Sequence, residues 1–139
     1  MNAKVPTVLY VEDDAHDRVL LQSACNEAKL SLNVMPVRDG EEAIAYLQGE
    51  GIYSNRERFP FPDMVLLDLK LPRKSGFEVL ELIQEHWATA ELPVVVLSGS
   101  CQQCDTQRAF KSGATSYFEK PASLDQLVEL ARKIFSKWA

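Results

Sequence analysis

The sequence predicts a single α/β domain, spanning residues 1–139, built on a doubly wound sheet of five parallel strands in the order 2-1-3-4-5. Five short apolar runs alternate with five segments of helical periodicity, joined mostly by short connections. The first, third and fourth runs are apolar almost throughout, which is typical of strands covered on both faces. Because crossovers between parallel strands are right-handed, helices are expected on both faces of the sheet. We expect no output domain.

The amino-terminal half of the chain predicts three strands separated by two helices. The strands are expected at Thr7–Val11, Asn33–Val37 and Met64–Leu67. The first helix is expected over 15–29, because apolar residues recur there at helical spacing: Leu20, Leu21, Ala24, Cys25 and Ala28. Asp39 begins a capping box that opens the second helix, which is expected to end at Gln48.

The carboxyl-terminal half predicts three helices and two strands. The third helix follows Gly76 and turns four apolar residues inward: Val79, Leu80, Ile83 and Trp87. The strands are expected at 94–97 and Ser116–Glu119, with a weakly amphipathic helix over about 104–112 between them. Ser123 caps the last helix. Its apolar residues keep helical spacing: Leu124, Leu127, Val128, Ala131, Ile134, Phe135 and Trp138. Phe135 and Trp138 could cap the core or face a partner, and we assign both to the core.

Composition excludes several classes of protein. Hydrophobic residues make up 46% of the chain and charged residues 25%, as is usual for a globular domain. The formal net charge of −5 offers no basic surplus to displace counterions, so we expect no nucleic acid partner. No apolar run is long enough to cross a membrane, and the first residues lack a signal-peptide core. A cytoplasmic location without membrane attachment is therefore expected.

The cysteines predict neither a disulfide framework nor a metal site. There are three of them, Cys25, Cys101 and Cys104. Cys101 and Cys104 have the spacing of a redox or half-zinc motif, but no second pair of ligands accompanies them, since His16 and His86 are isolated. We interpret both as ordinary thiols on a helix.

Acidic side chains follow two of the predicted buried strands. Glu12, Asp13 and Asp14 come directly after the first strand, and Asp68 comes directly after the third. These strands are neighbours in the predicted order, so their carboxyl ends meet at the same edge of the sheet. Carboxylates gathered there repel one another unless a hard cation joins them. The first functional hypothesis is therefore a metal site centred on Asp68, with Asp14 interpreted as the N-cap of the first helix.

Two further strand ends lead to the same edge. The fourth strand ends at Ser98 and Gly99, a hydroxyl followed by a residue that permits close backbone approach. The fifth ends at Lys120 and Pro121, where a cis peptide bond would aim the lysine toward the acids. Acids, a hydroxyl and one ammonium suit phosphoryl chemistry, in which cations neutralise phosphoryl oxygens while a carboxylate attacks phosphorus.

These residues together resemble a known family. In order and spacing, the set matches the signature of the receiver domains of two-component response regulators: Glu12, Asp13, Asp68, Ser98, Lys120 and Pro121. The resemblance extends over residues 5–138 and implies a flavodoxin-like receiver fold. It also implies a phospho-acceptor signalling protein that switches an interaction surface and catalyses only its own phosphotransfer and dephosphorylation.

The resemblance implies an acceptor and a metal site. Asp68 would take the phosphoryl group from the phosphohistidine of a sensor histidine kinase. Asp13, Asp68 and the backbone carbonyl of Lys70 would ligate Mg²⁺, with Mn²⁺ as an alternative ion. Glu12 would hold the same ion through a water molecule.

The resemblance also implies how the phosphoryl group is bound and sensed. Lys120, Ser98 and the backbone N–H of Gly99 would bind it. Tyr117 would be the switch aromatic, turning inward once the hydroxyl of Ser98 moves. A phosphoryl group brings about −1.5 to −2 charge, which would draw the hydroxyl and the ammonium toward Asp68.

Two enzymatic or carrier functions compete on the same fold. A flavodoxin-like flavin carrier needs a phosphate-binding loop after the first strand, where Glu12 and Asp13 would repel a phosphate. A phosphatase of the haloacid dehalogenase type needs a second aspartate two positions after the nucleophile, and Lys70 stands there. Both alternatives are testable, by a bound yellow chromophore and by turnover of p-nitrophenyl phosphate.

The partners follow from the resemblance as well. The extended connection 49–62 resembles that of regulators paired with bacterial phytochrome kinases, and its Arg56 and Arg58 are interpreted as solvated. A homodimer through the fourth helix, fifth strand and fifth helix is expected. A chemotaxis-type regulator that binds another effector is the alternative.

Overall fold

The five strands form one parallel sheet in the order β2-β1-β3-β4-β5, as the sequence predicts. The computed structural model describes residues 5–72, 75–87, 91–99 and 103–138. The strands are β1 (Thr7–Val11), β2 (Asn33–Val37), β3 (Met64–Leu67), β4 (Val94–Ser98) and β5 (Ser116–Glu119). Since β1 lies between β2 and β3, the strand order reverses direction there, which creates a crevice at the carboxyl ends of β1 and β3.

Five α-helices connect and cover the strands. They are α1 (Ala15–Glu27), α2 (Gly40–Gln48), α3 (Gly76–His86), α4 (Gln103–Lys111) and α5 (Leu124–Ile134). Four begin with a side-chain cap that satisfies otherwise free backbone N–H groups: Asp14, Asp39, Ser75 and Ser123. Among the described residues, no helix combines the length and apolar character needed to span a membrane.

Two hydrophobic layers enclose the sheet. Alternate residues of the strands face α2, α3 and α4, where Val65, Leu80 and Ile83 are fully buried. The other alternate residues face α1 and α5, where Leu21, Leu66 and Ala131 are fully buried. Burial of both sheet faces explains why β1, β3 and β4 read as continuous apolar runs rather than alternating ones.

The first helix ends earlier than its apolar pattern predicts. Its last residue is Glu27, and Lys29 adopts a left-handed conformation with φ of 60°. The N–H of Leu30 then donates to the carbonyl of Cys25 at 3.0 Å, and that of Lys29 to the carbonyl of Asn26 at 3.1 Å. This is the Schellman arrangement, formed here without the usual glycine, so the sequence carries no clear stop signal.

The last helix is also shorter than predicted. It ends at Ile134, and a separate 3₁₀ turn, Ser136–Trp138, follows. Phe135 is fully buried, and its ring stacks on that of Trp138 with centroids 6.2 Å apart. Core placement of Phe135 is therefore confirmed, while Trp138 is half-buried at the edge of the same layer.

The connection 49–62 is a folded cap, and the solvated interpretation of Arg56 is wrong. Its guanidinium donates to the carbonyls of Tyr46 and Leu47, each at 2.8 Å, and to that of Phe59 at 3.2 Å. The first two belong to the last turn of α2, whose carbonyls have no partner within the helix. Arg58, in contrast, is exposed.

Candidate functional site

The carboxyl ends of β1 and β3 bring two acids together. Val11 of β1 pairs with Leu67 of β3, so the next residues of the two strands, Glu12 and Asp68, lie side by side. The N–H of Asp68 donates to the carbonyl of Val11 at 3.1 Å, which fixes its backbone to β1. Although both are carboxylates, Glu12 is only 1% exposed and Asp68 only 5%. Buried acids of this kind need a cation or hydrogen-bond donors nearby.

Three carboxylates at this edge have the spacing of a metal site. Glu12, Asp13 and Asp68 each offer one oxygen, and these oxygens lie within 4.8 Å of one another. Opposite ligands of Mg²⁺ are about 4.2 Å apart, because each Mg–O bond is about 2.1 Å. A small closure of the three side chains would therefore suffice. All donors are oxygens, and Asp13 is exposed, which leaves space for the waters that Mg²⁺ retains. The residues fit a hard divalent ion.

Lys120 joins the acidic group from the end of β5. Its Nζ lies 2.6 Å from Glu12 Oε1, 2.9 Å from Asp17 Oδ2 and 3.0 Å from Asp68 Oδ2. The backbone N–H of Lys120 donates to the carbonyl of Ser98 at 2.8 Å, which extends the β4–β5 ladder by one bond. The cis peptide bond considered before Pro121 is not present, since the described residues contain no cis peptide. The trans chain already directs the long lysine side chain to the acids.

These contacts shift the ionisation of both partners. Burial disfavours the charged form of Lys120, but its hydrogen bonds to Glu12, Asp17 and Asp68 more than offset this, so its pKa is raised. Burial raises the pKa of Glu12 to about 7, against the opposing hydrogen bond from Lys120. Lys120 therefore stays an ammonium at neutral pH, and its contact with Glu12 counters the burial of that carboxylate.

Sequence reasoning missed two members of this group, Asp17 and Tyr10. Asp17 accepts from Lys120, and Tyr10 donates its hydroxyl to Glu12 Oε1 at 3.5 Å. Burial raises the pKa of Tyr10, so its hydroxyl is a neutral donor. A signal for Asp17 exists in the sequence, because it stands one helical turn before buried Leu21 on the inward face of α1. No comparable signal distinguishes Tyr10 from an ordinary core aromatic.

The loop after Asp68 donates a backbone hydrogen bond to its carboxylate. The N–H of Lys70 donates to Asp68 Oδ1 at 3.2 Å, and the N–H of Gly76 donates to the carbonyl of Leu69 at 2.9 Å. The side chain of Lys70 is exposed. With Lys120 on Oδ2, each oxygen of Asp68 has a donor, so the carboxylate is fixed in orientation.

The remaining predicted residues lie on β4 and β5. Ser98 is fully buried at the end of β4, and Tyr117 is half-buried against the layer beneath α4. Gly99 is exposed, and a Cβ there would meet no atom within 4 Å. No protein atom therefore lies close enough to Gly99 to exclude a side chain there. The phosphoryl-binding roles of Ser98 and Gly99 and the switch role of Tyr117 stay predictions.

Other predicted features lie away from this group. Asp14 is the N-cap of α1, because its Oδ1 accepts from the N–H of His16 at 2.8 Å and from that of Asp17 at 3.2 Å. Cys25 is a buried free thiol. Cys104 lies within α4, and Cys101 lies outside the described residues.

Known proteins resemble this chain in sequence and in structure. The family model of the response regulator receiver domain matches residues 8–132. Response regulator Rcp1 of Synechocystis sp. is 34% identical over 131 residues, which cover 94% of this chain and 87% of that relative. A solved structure of Rcp1 in its Mn²⁺-bound form has a TM-score of 0.81 at 34% identity and covers 96% of this chain and 94% of that one.

Two further solved response regulators are similar to this chain. The phosphorylated cyanobacterial phytochrome response regulator RcpA has a TM-score of 0.85 at 38% identity, covering 97% of this chain and 94% of that one. Response regulator RPA3017, in red light signaling of R. palustris, has a TM-score of 0.90 at 33% identity, covering 96% and 94%. These matches confirm the flavodoxin-like receiver fold. The chain belongs to the family of response regulator receiver domains.

Proposed function

We propose that Asp68 of this receiver domain accepts a phosphoryl group from a cytoplasmic sensor histidine kinase in a reaction that requires Mg²⁺. Phosphoryl acceptance is the general function of receiver domains. The position of Asp68 supports this assignment. Its carboxylate is buried and accepts hydrogen bonds from Lys120 and from the N–H of Lys70. It also lies close enough to Glu12 and Asp13 to share a metal ion with them.

The chemistry is a displacement at phosphorus. A carboxylate oxygen of Asp68 forms a bond to phosphorus as the bond to the imidazole nitrogen of phosphohistidine breaks, and the imidazole leaves with the bonding electrons. Bound Mg²⁺ would supply positive charge to the phosphoryl oxygens, held by Glu12, Asp13, Asp68 and the carbonyl of Lys70, with Mn²⁺ as a substitute. Lys120 is already 3.0 Å from Asp68 and needs little movement to contact a phosphoryl oxygen.

The switch follows from the same charge. Ser98 and the N–H of Gly99 would donate to the phosphoryl group from the end of β4, and Tyr117 on β5 would move into the space vacated by the hydroxyl. Support comes from register, because Ser98 pairs with Glu119 and Val96 with Tyr117 on the adjacent strand. A local charge change would thus reach the face formed by α4, β5 and α5.

That face is the proposed interaction surface, including a homodimer contact. Phe110 of α4 is 48% exposed and offers a large apolar side chain that a partner could cover. Analytical ultracentrifugation with and without a beryllofluoride adduct tests the dimer. A Phe110→Ser variant should weaken self-association, and unchanged self-association would exclude this face.

A phytochrome-type kinase is the proposed phosphoryl donor, by similarity to RcpA and RPA3017. The alternative is a chemotaxis-type regulator bound to another effector. Phosphotransfer from a purified bacterial phytochrome kinase and from a chemotaxis kinase, compared at equal donor concentration, distinguishes the two. Faster transfer from the chemotaxis kinase would reject the phytochrome assignment.

Intact-mass measurement tests the acceptor itself. With Mg²⁺ and acetyl phosphate, the wild-type chain should gain one labile phosphoryl group, and Asp68→Asn should gain none. Equal labelling of both would place the acceptor elsewhere.

A further inference from the structure

Asp17 lies at the site but is not one of the three carboxylates that are spaced for a metal ion. Asp17 Oδ2 lies 2.9 Å from Lys120 Nζ, a contact as short as that of Asp68. The oxygens that cluster for a metal come from Glu12, Asp13 and Asp68. Asp17 therefore contacts the ammonium of the site without belonging to the set that fits the ion.

The position of Asp17 follows from the phase of α1. Leu21, Ala24 and Cys25 form the inward stripe of the helix and are buried under the sheet. Asp17 lies one turn earlier on that stripe, in the first turn of α1. Its side chain is 31% exposed and that of Lys120 is 21% exposed, so this contact lies at the solvent-facing side of the group.

The bonding capacity of Lys120 explains what such a residue can do. An ammonium has three N–H donors, and here all three have a carboxylate partner. Two of the partners, Glu12 and Asp68, would share their oxygens with the ion, and Asp68 would also take the phosphoryl group. The contact with Asp17 is the one that can persist through both events.

We propose that Asp17 is a positioning residue for Lys120, holding the ammonium at the site while Glu12 and Asp68 change partners. This inference rests on the proposed function. Without Asp17, the ammonium loses its anchor outside the metal group and either competes with the ion for Glu12 and Asp68 or turns toward solvent. In both cases fewer molecules hold Lys120 where a phosphoryl oxygen arrives.

A beryllofluoride titration in Mg²⁺, followed by ¹⁹F NMR, tests the proposal with a phosphoryl mimic. Asp17→Asn should weaken adduct formation roughly 3- to 10-fold, as expected for a partly exposed charged hydrogen bond. It should also shift the resonance of the fluorine that contacts Lys120. Asp17→Glu should restore much of the affinity, which excludes a general folding defect.

Asp14→Asn is the matched control. It removes the same charge three residues away on the same helix, and asparagine is an equally good N-cap. The side chain of Asp14 accepts from the backbone of α1. Asp14→Asn should therefore leave affinity within about twofold, which measures the long-range effect of losing one negative charge near the site.

A double-mutant cycle isolates the contact. In a Lys120→Ala background, Asp17→Asn should have no effect beyond that of Asp14→Asn, because its partner is absent. Equal titrations for Asp17→Asn and Asp14→Asn in the presence of Lys120 would overturn the positioning role while leaving the acceptor assignment intact. A wild-type chain that forms no adduct at all would overturn the proposed function and this inference with it.

Discussion

Gly76 lies against the backbone of Asp68 so closely that no side chain fits between them. A Cβ on Gly76 would come within 2.7 Å of the carbonyl oxygen of Asp68 and 2.5 Å of the Cα of Leu69. Both are backbone atoms of the loop that orients the acid, so neither can move aside without moving Asp68. The amino-terminus of α3 is therefore packed directly beneath the proposed acceptor.

Gly76→Ala should therefore destabilise the protein although alanine is the better helix former. We expect the free energy of unfolding to fall by about 1–3 kcal/mol, because the backbone must shift to admit the methyl group. Gly99→Ala is the matched control, since a Cβ there meets no atom within 4 Å. Urea denaturation of both variants measures the difference. An unchanged midpoint for Gly76→Ala would show that the loop relaxes freely.

Arg56→Ala should unfold more easily than Arg58→Ala. Arg56 donates to three carbonyls, two of them at the end of α2, and its removal takes a charged donor from each, although the carbonyl of Tyr46 keeps the N–H of Gly49 at 3.1 Å. We expect a loss of about 1–3 kcal/mol for Arg56→Ala and less than about 0.5 kcal/mol for the exposed Arg58. Thermal and chemical denaturation give both values. Equal stabilities would mean that the connection 49–62 does not depend on this cap.

Lys120→Ala should separate metal binding from phosphoryl response. The ammonium contacts Glu12 and Asp68, which would also ligate the ion, so its loss removes a competing cation. We expect Mg²⁺ affinity by isothermal titration calorimetry to stay equal or rise. Beryllofluoride should still add to Lys120→Ala with lower affinity, but the amide NMR shifts of β4 and β5 that it induces in the wild type should largely vanish. A normal set of shifts in Lys120→Ala would contradict its assignment to the phosphoryl group.

Stability should fall at alkaline pH through Cys25. Burial raises the pKa of its thiol from 9.0 to about 11. Between these values the unfolded chain has lost its thiol proton while the folded chain retains it, so stability decreases as pH rises. This contribution is fully present below pH 9 and is lost as pH passes 11. Its full size is roughly 2–3 kcal/mol for a shift of this size.

Cys25→Ala should therefore show a flatter decline of unfolding free energy between pH 9 and pH 11 than the wild type. The comparison uses the slope rather than the absolute stability, because the smaller side chain also leaves space in the core. Parallel slopes would show that the thiol does not titrate within the folded state in this range. A separate assay with Ellman's reagent at neutral pH should find the same number of reactive thiols in the wild type and in Cys25→Ala, since Cys25 is buried.

The strands and the acidic edge were predictable because the signals are local and strong. The continuous apolar runs of β1, β3 and β4 are typical of strands covered on both faces, so these strands could be assigned directly. Parallel pairing of β1 with β3 then placed Glu12 beside Asp68. Helix ends were harder. Lys29 adopts a left-handed turn without glycine, and Phe135 continues the apolar spacing although α5 has already ended.

Contacts between distant segments were the least predictable. Arg56 looks like an ordinary surface charge until the carbonyls of Tyr46 and Leu47 are seen beside it. Asp17 looks like a solvated helix residue until Lys120 arrives from the far end of the chain. In both cases a charged side chain bonds to partners that are distant along the chain, and sequence spacing does not predict such contacts. For Asp17, its position on the inward face of α1 is a partial signal.

Chemical trapping of the phosphorylated residue tests the central assignment most directly. Borohydride reduces an aspartyl phosphate to homoserine, which peptide mass spectrometry locates by residue. After phosphotransfer from a histidine kinase in Mg²⁺, we predict homoserine at position 68 and loss of trapping when the ion is chelated. Homoserine at Asp13 or Asp17 instead, or trapping at position 68 that is unchanged by chelation, would contradict a metal-assisted acceptor at Asp68.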